Sequence, residues 1–205
     1  MSDNFKAITA EEITKARNLI RQFITRTPLR SCPPSFQIPG TELFLKMENE
    51  QRTGSFKIRG AINKMSSLTE AEKARGVVAS SAGNHAQGVA LGAKMLGVKA
   101  TIVMPVTAPI VKIAATRGFG ANVILKGDYY DEAYALALEL EKSQNLVFVH
   151  PFEDPRIIAG QGTIGLEILE DLADVDSVVI PIGGGGLISG IATAIKSVRP
   201  SCKIY

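Results

Sequence analysis

The sequence predicts an α/β fold in which helices cover both faces of a mainly parallel sheet. Short segments rich in Val, Ile and Ala alternate with amphipathic segments of helical periodicity along the 205 residues. This alternation is typical of βαβ units and of a parallel sheet that is buried on both faces. It is interrupted at residues 150–155, where the sequence reads His-Pro-Phe-Glu-Asp-Pro. Because prolines next to polar residues mark turns, we place the best domain boundary there.

The first part of the chain is predicted to be a helix followed by irregular structure. Thr9-Ala10-Glu11-Glu12 has the sequence of a capping box, and apolar residues follow it at helical spacing, which predicts a helix over 10–24. Thr27-Pro28-Leu29 ends this helix, and further prolines predict an irregular segment after it. Residues 42–48 then read as a strand.

The regular βαβ pattern follows. Strands are predicted where Val, Ile and Ala cluster, and helices where apolar residues recur every three or four positions until a glycine such as Gly97 or Gly118. In chain order, the predicted elements are helix 56–67, strand 77–80, helix 84–96, strand 100–104, helix 108–117, strand 122–125, helix 129–143, strand 146–150, helix 161–172, strand 178–182, helix 187–198 and a strand beginning at 203.

The last predicted strand, Lys203-Ile204-Tyr205, has only begun where the sequence stops. A parallel sheet ending there would leave apolar faces and an unpaired edge in water. Each exposed Val or Ile forfeits about 1.5–3 kcal/mol, against a net stability of about 5–15 kcal/mol. We therefore expect the chain to be truncated at its C-terminal end and its second domain to be incomplete.

The composition argues against several classes of function. The net charge of +3 is spread along the chain without a basic block, so nucleic-acid binding is not expected. The sequence has no signal-peptide core and no apolar run of about 18 residues, so we expect a cytoplasmic protein without membrane association. Cys32 and Cys202 are expected to be free thiols, with a bridge between them as the open alternative. His85 and His150 are the only histidines and lie in no ligand cluster, so no metal site is expected.

The candidate catalytic residue is Lys57, in the stretch Thr53-Gly54-Ser55-Phe56-Lys57-Ile58-Arg59-Gly60. The lysine follows an aromatic residue and a polar turn, and it begins an apolar-periodic run. A single lysine in such a place is more often a solvated surface charge, and Ser55 has a plain helix-capping interpretation. Lys57 becomes a candidate because two loops downstream have the form that a phosphate-bearing aldehyde cofactor needs.

The first of these loops is Gly183-Gly184-Gly185-Gly186, which joins the strand at 178–182 to the helix that begins at Leu187. Four glycines let backbone N–H groups turn toward one point in front of a helix N-terminus, which makes an anion site. A tight strand-to-helix turn is the alternative, but such a turn rarely needs four glycines. The spacing matches neither a dinucleotide fingerprint nor a nucleotide P-loop, so we predict a phosphate site.

The second loop is Ser80-Ser81-Ala82-Gly83-Asn84-His85, also between a strand and a helix. Its free N–H groups suit a carboxylate, while a plain N-cap role for Asn84 is the alternative. His85 is more typical of a structural helix residue than of a base. Strand ends and helix starts of an α/β sheet are the usual ligand crevice. A lysine, a phosphate cradle and an amide together suit pyridoxal 5'-phosphate (PLP), whose aldehyde needs an amine partner.

These stretches resemble a known family. Residues 53–60, 81–88 and 183–187, together with Ala159-Gly160-Gln161-Gly162-Thr163-Ile164-Gly165, are similar to the serine/threonine dehydratases among the tryptophan-synthase-β-like (fold type II) PLP enzymes. Within that family they are most like the catabolic threonine dehydratases (threonine ammonia-lyases). The similarity extends from about residue 8 to the end of the chain.

The resemblance implies a particular domain organisation. The family fold has two three-layer αβα domains with mainly parallel sheets. A small domain of roughly 49–149 would be inserted in a large PLP-binding domain, of which 1–48 and 150–205 are present. The second domain is thus expected to be incomplete, and the residue that faces the pyridine nitrogen in this family would lie in the absent part, as would any cation ligands.

The resemblance also implies roles for individual residues. Lys57 would be the Schiff-base lysine, Phe56 would pack beside the pyridine ring, and Asn84 would bond the cofactor's 3'-oxygen. The phosphate would be held by Gly183, Gly184, Gly185, Gly186 and Leu187, and the substrate by Ser81, Ala82, Gly83, Asn84 and His85. The expected reaction is α,β-elimination from L-threonine or L-serine, which gives 2-oxobutanoate or pyruvate and ammonium.

Several alternatives and partners follow from the same resemblance. Serine racemases of the family carry a serine where this chain has Ala82, which argues against racemisation, but a racemase or a serine-specific dehydratase stays an alternative. A different class of alternative is a non-catalytic subunit that associates with full-length partners. Catabolic members are homo-oligomers (dimers or tetramers) activated by AMP. The residues that match the AMP site are Arg52, Thr53, Gln87, Gly118 and Phe119.

Overall fold

The computed structural model describes residues 7–205, and the statements about structure below refer to these residues. Two short 3-10 turns, Pro34–Phe36 and Glu48–Glu50, flank the second strand. The helices and strands, in chain order, are α1 (Ala10–Ile20), β1 (Leu29–Ser31), β2 (Phe44–Lys46), α2 (Lys57–Ser66), α3 (Glu70–Arg75), β3 (Val77–Ser80), α4 (Asn84–Leu96), β4 (Ala100–Met104), α5 (Ile110–Gly118), β5 (Asn122–Leu125), α6 (Tyr130–Ser143), β6 (Val147–Phe148), α7 (Pro155–Asp171), β7 (Ser177–Val178), α8 (Gly186–Val198) and β8 (Lys203–Ile204).

The largest sheet has four parallel strands in the order β5-β4-β3-β6. Every residue of β3 is buried, and successive side chains point to opposite faces of the sheet. Val77 and Ala79 pack with side chains of α2 and α4. On the other face, Val78 packs with Val103 of β4 and Ala133 of α6. The prediction of a parallel sheet between two layers of helices is therefore confirmed.

A second apolar core surrounds a two-stranded parallel sheet, in which β7 pairs with β8. The two long helices α7 and α8 pack against each other beside it. They lie in close contact, since a Cβ atom at Gly162 would be 2.8 Å from the carbonyl oxygen of Gly190. The isoleucines that α7 and α8 contribute to this core are Ile164, Ile168, Ile191 and Ile195.

Helix α2 connects the two cores. It packs against α4 on one side and against α7 on the other. A Cβ atom at Gly88 of α4 would lie 3.0 Å from the backbone nitrogen of Ile58, so α4 and α2 approach closely. The assignment of residues 49–149 to one domain, and of 1–48 and 150–205 to another, stays a prediction.

Several predicted elements agree with the structure in both bounds. They are the helix at 84–96 and the strands at 77–80, 100–104 and 122–125. Others differ in their bounds. α1 ends at Ile20 rather than at 24, and the strand predicted at 178–182 is Ser177–Val178, which differs at both ends.

The start of α7 is the largest error in the predicted bounds. The helix begins at Pro155 rather than at 161. The side chain of Asp154 accepts a hydrogen bond from the backbone N–H of Arg156 at 2.7 Å, and proline at the first helical position lacks only an N–H that would be unsatisfied anyway. Asp154 and Pro155 are therefore a helix start, where the prediction had a domain boundary alone.

Two elements were missing from the prediction. α3 begins with a capping box formed by Thr69 and Glu72, which is a readable sequence signal. The segment predicted to be irregular after Thr27 contains β1, which pairs antiparallel with β2. Leu29 lies opposite Lys46 in that pairing.

Other features bear on the classes of function considered above. Within residues 7–205, no helix is both long enough and apolar enough to cross a bilayer. Cys32 and Cys202 are buried free thiols. In the same part of the chain, no three His, Cys, Asp or Glu side chains lie together where they could hold a metal ion.

Candidate active site

Lys57 is the first residue of α2 and lies in the junction between the two cores. Phe56 precedes it as the N-cap residue, without a side-chain capping bond. The side chain of Ser55 does not cap the helix either, because its buried hydroxyl has no hydrogen-bond partner among the described residues. The Nζ atom of Lys57 donates a hydrogen bond to the carbonyl oxygen of Pro151 at 2.8 Å. It lies 5.3 Å from the centre of the Phe56 ring.

The surroundings of Lys57 favour its neutral form. Burial lowers the pKa of the Lys57 amine below its usual value, since an ammonium group loses hydration when it leaves water. The hydrogen-bond acceptor it has, the Pro151 carbonyl, carries no formal charge. A larger fraction of this amine is therefore unprotonated near neutral pH than for a lysine on the surface.

A buried ionic cluster fixes the helix that carries Lys57. Arg59 is fully buried, two residues after the lysine. Its guanidinium donates to Glu48 at 2.8 and 2.9 Å and to Glu167 at 2.7 and 2.9 Å. Lys46 forms a second ion pair with Glu167 at 2.7 Å. The segment before α2, α2 itself and α7 are thereby held in one arrangement.

The glycine loop 183–186 enters α8. Gly185 is the N-cap residue of the helix, with φ +84°, in the left-handed region that favours glycine. A Cβ atom at Gly184 would overlap the ring of Phe152, whereas one at Gly183 would have no atom within 4 Å. Because Gly185 is the N-cap residue, the helix begins at Gly186, one residue before the predicted start at Leu187. Free N–H groups and the positive end of the α8 dipole meet here, which suits an anion.

Lys57 and the glycine loop line the same cleft, which has a volume of about 280 Å³. Phe56 and Leu187, also singled out in the sequence, lie on its walls. The remaining lining residues were not predicted; they are Pro151, Phe152, Gln161, Pro181 and Ile182.

The loop after β3 does not line the cleft that contains Lys57 and the glycine loop. Ser81, Ala82, Gly83, Asn84 and His85 are not among the residues that line the cleft. Asn84 does not cap α4, because Gly83 is the N-cap residue and makes no side-chain bond; the capping alternative is therefore wrong. The Asn84 side-chain oxygen accepts a hydrogen bond from Lys112 Nζ at 2.7 Å, and the Ser81 hydroxyl accepts one from the Gly83 N–H at 3.2 Å.

His85 is a buried residue of α4 rather than a surface group. Its Nε2 atom lies 2.9 Å from the carbonyl oxygen of Val149. Burial, followed by the nearby charges of Lys57 and His150, lowers the pKa of His85 to about 3. The ring is therefore neutral near pH 7, so Nε2 donates to Val149 and ties the start of α4 to the segment that leads to Pro151.

The five residues expected at an AMP site are not brought together in a described cavity. Thr53 and Gln87 are buried, Arg52 and Gly118 are exposed, and Phe119 is half-buried. A second cavity of about 130 Å³ is lined by Phe119 and by none of the other four.

Some of the lining residues that the sequence analysis missed could have been found from the sequence, and others could not. Pro151 and Phe152 lie two to three residues before the Asp154-Pro155 helix start. Recognising that start would have placed them on the loop that leads into α7. Gln161 lies inside α7 among apolar and small residues. A buried glutamine in such a helix gives no sequence signal of its own.

The fold and the cleft define an α/β protein in which a half-buried lysine and a glycine-rich helix start line the same cleft. The family model described as pyridoxal-phosphate dependent enzyme matches residues 20–205. The chain therefore belongs to the family of pyridoxal-phosphate dependent enzymes.

Curated relatives are similar over nearly the whole of this chain. It is 57% identical to the L-threonine ammonia-lyase of Thermotoga maritima over 197 residues, which cover 96% of this chain and 49% of the relative. It is 54% identical to the L-threonine dehydratase catabolic TdcB of Staphylococcus aureus over 198 residues, 96% of this chain and 57% of the relative. The chain thus spans about half the length of these curated relatives.

Solved structures agree with the predicted fold. Maize serine racemase superposes with a TM-score of 0.94 at 37% identity, covering 97% of this chain and 60% of that one. The processed form of threonine deaminase isoform 2 from Solanum lycopersicum superposes with a TM-score of 0.88 at 43% identity, covering 97% and 57%. The expected fold type II architecture is confirmed over the part of the fold that this chain spans.

Proposed function

We propose that this chain carries the PLP-binding part of an ammonia-lyase that dehydrates and deaminates L-threonine, and L-serine, to 2-oxobutanoate or pyruvate and ammonium. The observation that carries the proposal is that Lys57 and Gly183–Gly186 line one cleft. Relatives named threonine ammonia-lyase and threonine dehydratase, at 57% and 54% identity, support the choice of substrate.

The residues of the cleft fit PLP. The cleft is lined by an amine of lowered pKa, by a helix N-terminus preceded by glycines and by the aromatic ring of Phe56. When bound, PLP supplies an aldehyde that bonds amines and a ring that accepts an electron pair from a substrate carbon. Lys57 would bond the aldehyde, and the N–H groups of Gly183–Gly186 would hold the phosphate.

The chain's own residues account for the proton movement. The Nζ atom of Lys57 would accept the proton from the substrate Cα, and only a neutral amine has the lone pair to do so. Burial lowers the pKa of the Lys57 amine and so raises the fraction of it that is neutral. The Pro151 carbonyl, 2.8 Å away, holds the amine in place between transfers.

The loop Ser81–His85 is proposed to bind the substrate carboxylate, and Asn84 the ring oxygen of the cofactor. Support comes from the free N–H groups at the start of α4. Asn84 would have to exchange its bond to Lys112 for one to the ligand. Lys112 therefore competes with the cofactor for the side chain of Asn84.

Racemisation is the second candidate reaction, since maize serine racemase superposes closely. Ala82 occupies the position of the serine that would protonate the opposite face of Cα. Alanine carries no proton to give, so dehydration is favoured. A homo-oligomer, activation by AMP through Arg52, Thr53, Gln87, Gly118 and Phe119, and a cytoplasmic location stay predictions.

The test is a turnover assay of the purified chain, verified by intact mass as 205 residues and supplied with PLP. We expect 2-oxobutanoate from L-threonine and pyruvate from L-serine, and no L-serine from D-serine. Loss of both products in Lys57→Ala, with activity kept in Lys94→Ala on the exposed side of α4, ties turnover to the cleft. Because the chain spans about half of its relatives, a low rate is expected. PLP binding without any turnover would favour the non-catalytic alternative.

A further inference from the structure

The side chain of Gln161 is buried, lines the same cleft as Lys57 and is hydrogen-bonded through only one of its two ends. It is 1% exposed. Its Oε1 atom accepts a hydrogen bond from the backbone N–H of Gly60 at 3.2 Å, in the first turn of α2. This bond fixes which end of the amide is the acceptor, so the Nε2 group must point its two N–H donors elsewhere.

Those donors have no acceptor among the described residues. A buried donor without a partner destabilises the folded state, because it has lost its hydrogen bonds to water. The amide cannot easily turn away, since it packs on the backbone of Gly60, where a Cβ atom would lie 2.5 Å from Nε2. Such a group is expected to be satisfied by something that enters the neighbouring space.

The neighbouring space is the cleft, which Gln161 helps to line. Of the twelve lining residues, Lys57 and Gln161 are the two whose side chains carry a polar atom. The other polar groups there are backbone atoms. A ligand that presents oxygen atoms to this cleft would therefore find one amide donor from a side chain, in addition to the N–H groups of the glycine loop.

We propose that Gln161 donates a hydrogen bond from Nε2 to a phosphate oxygen of the bound cofactor. This inference rests on the proposed function. Among the oxygens of PLP, the ring oxygen already has a proposed partner in Asn84, and the aldehyde would be bonded by Lys57. The phosphate has three terminal oxygens and accepts more hydrogen bonds than one loop supplies. Gln161 thus completes the anion site and, through Gly60, connects it to the helix that carries Lys57.

The test compares two variants with two ligands. Gln161→Glu keeps an acceptor for the Gly60 N–H but has no donor when ionised, and Gln161→Met removes both. Affinity for PLP and for pyridoxal, which lacks the phosphate, is measured at pH 8.5 by the absorbance of the bound aldehyde. We expect PLP affinity to fall about tenfold to a hundredfold in Gln161→Met, the range for a hydrogen bond to a charged group. It should fall further in Gln161→Glu, because the carboxylate also repels the phosphate. Pyridoxal affinity should change less than about twofold, since no donor bond to it is lost.

The outcomes separate this inference from the proposed function. Unchanged PLP affinity in Gln161→Met, or an equal loss for PLP and pyridoxal, would show that Gln161 only supports the packing of α2. In either case an adduct on Lys57 of the unsubstituted chain would leave the proposed function standing. An unsubstituted chain that binds neither ligand at Lys57 would contradict both.

Discussion

Two parts of the cleft lining differ in how firmly the protein holds them: the lysine wall, formed by Phe56 and Lys57, and the glycine wall, formed by Gly183–Gly186. The lysine wall belongs to the start of α2, which packs between two helices and is anchored by the guanidinium of Arg59, a residue that is 0% exposed. The glycine wall follows a strand pair of two residues each, and Val179 and Ile182 beside it are 80% and 66% exposed. The amine is therefore set in place by packing, whereas the anion site depends mainly on its own backbone conformation.

The largest effect is expected where the lysine wall is anchored. Arg59→Leu would leave Glu48 and Glu167 buried without their main partner. Breaking a buried ion pair on one side costs about 3–5 kcal/mol. Urea unfolding should show a loss of that size, while Arg52→Leu, at an exposed position, should change the free energy of unfolding by less than about 0.5 kcal/mol. A loss below about 1 kcal/mol for Arg59→Leu would mean that the cluster does not anchor α2.

A second prediction concerns pH and the residue that ties α4 to the lysine wall. The pKa of His85 is lowered to about 3 in the folded protein, against about 6.5 in an unfolded chain. Between these values the unfolded state binds more protons, so stability falls as the pH falls through this window. The expected contribution of His85 is about 2 kcal/mol between pH 6.5 and 5, at up to about 1.4 kcal/mol per pH unit.

The check uses the second histidine as a matched control. His85→Gln keeps a donor for the Val149 carbonyl and removes the titrating ring, so its unfolding free energy should depend less steeply on pH. His150→Gln should retain the His85 contribution. An equal pH dependence of His85→Gln and the unsubstituted chain would contradict the assignment of a buried neutral ring.

Effects smaller than that of Arg59→Leu are expected in the glycine wall, and they should differ from one glycine to the next. Gly185→Ala strains a residue with φ +84°, at a cost of about 1–2 kcal/mol. Gly184→Ala would push against Phe152, at a similar cost of about 1–3 kcal/mol for overpacking. Gly183→Ala has no atom within 4 Å of its new methyl group and should be neutral within about 0.5 kcal/mol.

Thermal or urea unfolding of these three variants sharpens the comparison between the walls. If Gly183→Ala is neutral for folding but weakens PLP binding, space at that position is needed by the ligand rather than by the fold. Three equal losses would mean that the loop is packed as tightly as α2, which would remove the difference between the walls.

The sequence was most informative where local signals and packing agree. The helix 84–96 and the strands at 100–104 and 122–125 were predicted with the observed bounds, because apolar periodicity, a terminal glycine and buried β-branched residues point to the same elements. The start of α7 was missed although Asp154 and Pro155 signal it, since a Pro-rich segment also resembles a linker.

In the cleft, the sequence predicted the residues that stand out by their type or spacing. Four consecutive glycines and a lysine next to Phe56 could be found without a structure. Phe152 and Gln161 were not assigned to the cleft. Gln161 lies in a stretch that matches the family, but an aromatic residue after a turn and a glutamine in a helix do not by themselves indicate a site. Their part in the cleft depends on how α7 packs against α2 and α8, which no local pattern shows.

The most direct test of the account is borohydride reduction of the chain with PLP, followed by peptide mapping. The account predicts a single pyridoxyl adduct on Lys57, which lies in the same cleft as the glycine loop. The adduct should be lost in Lys57→Ala and kept in Lys94→Ala. A pyridoxyl group on another lysine, with Lys57 unmodified, would contradict the assignment of the cleft as the cofactor site.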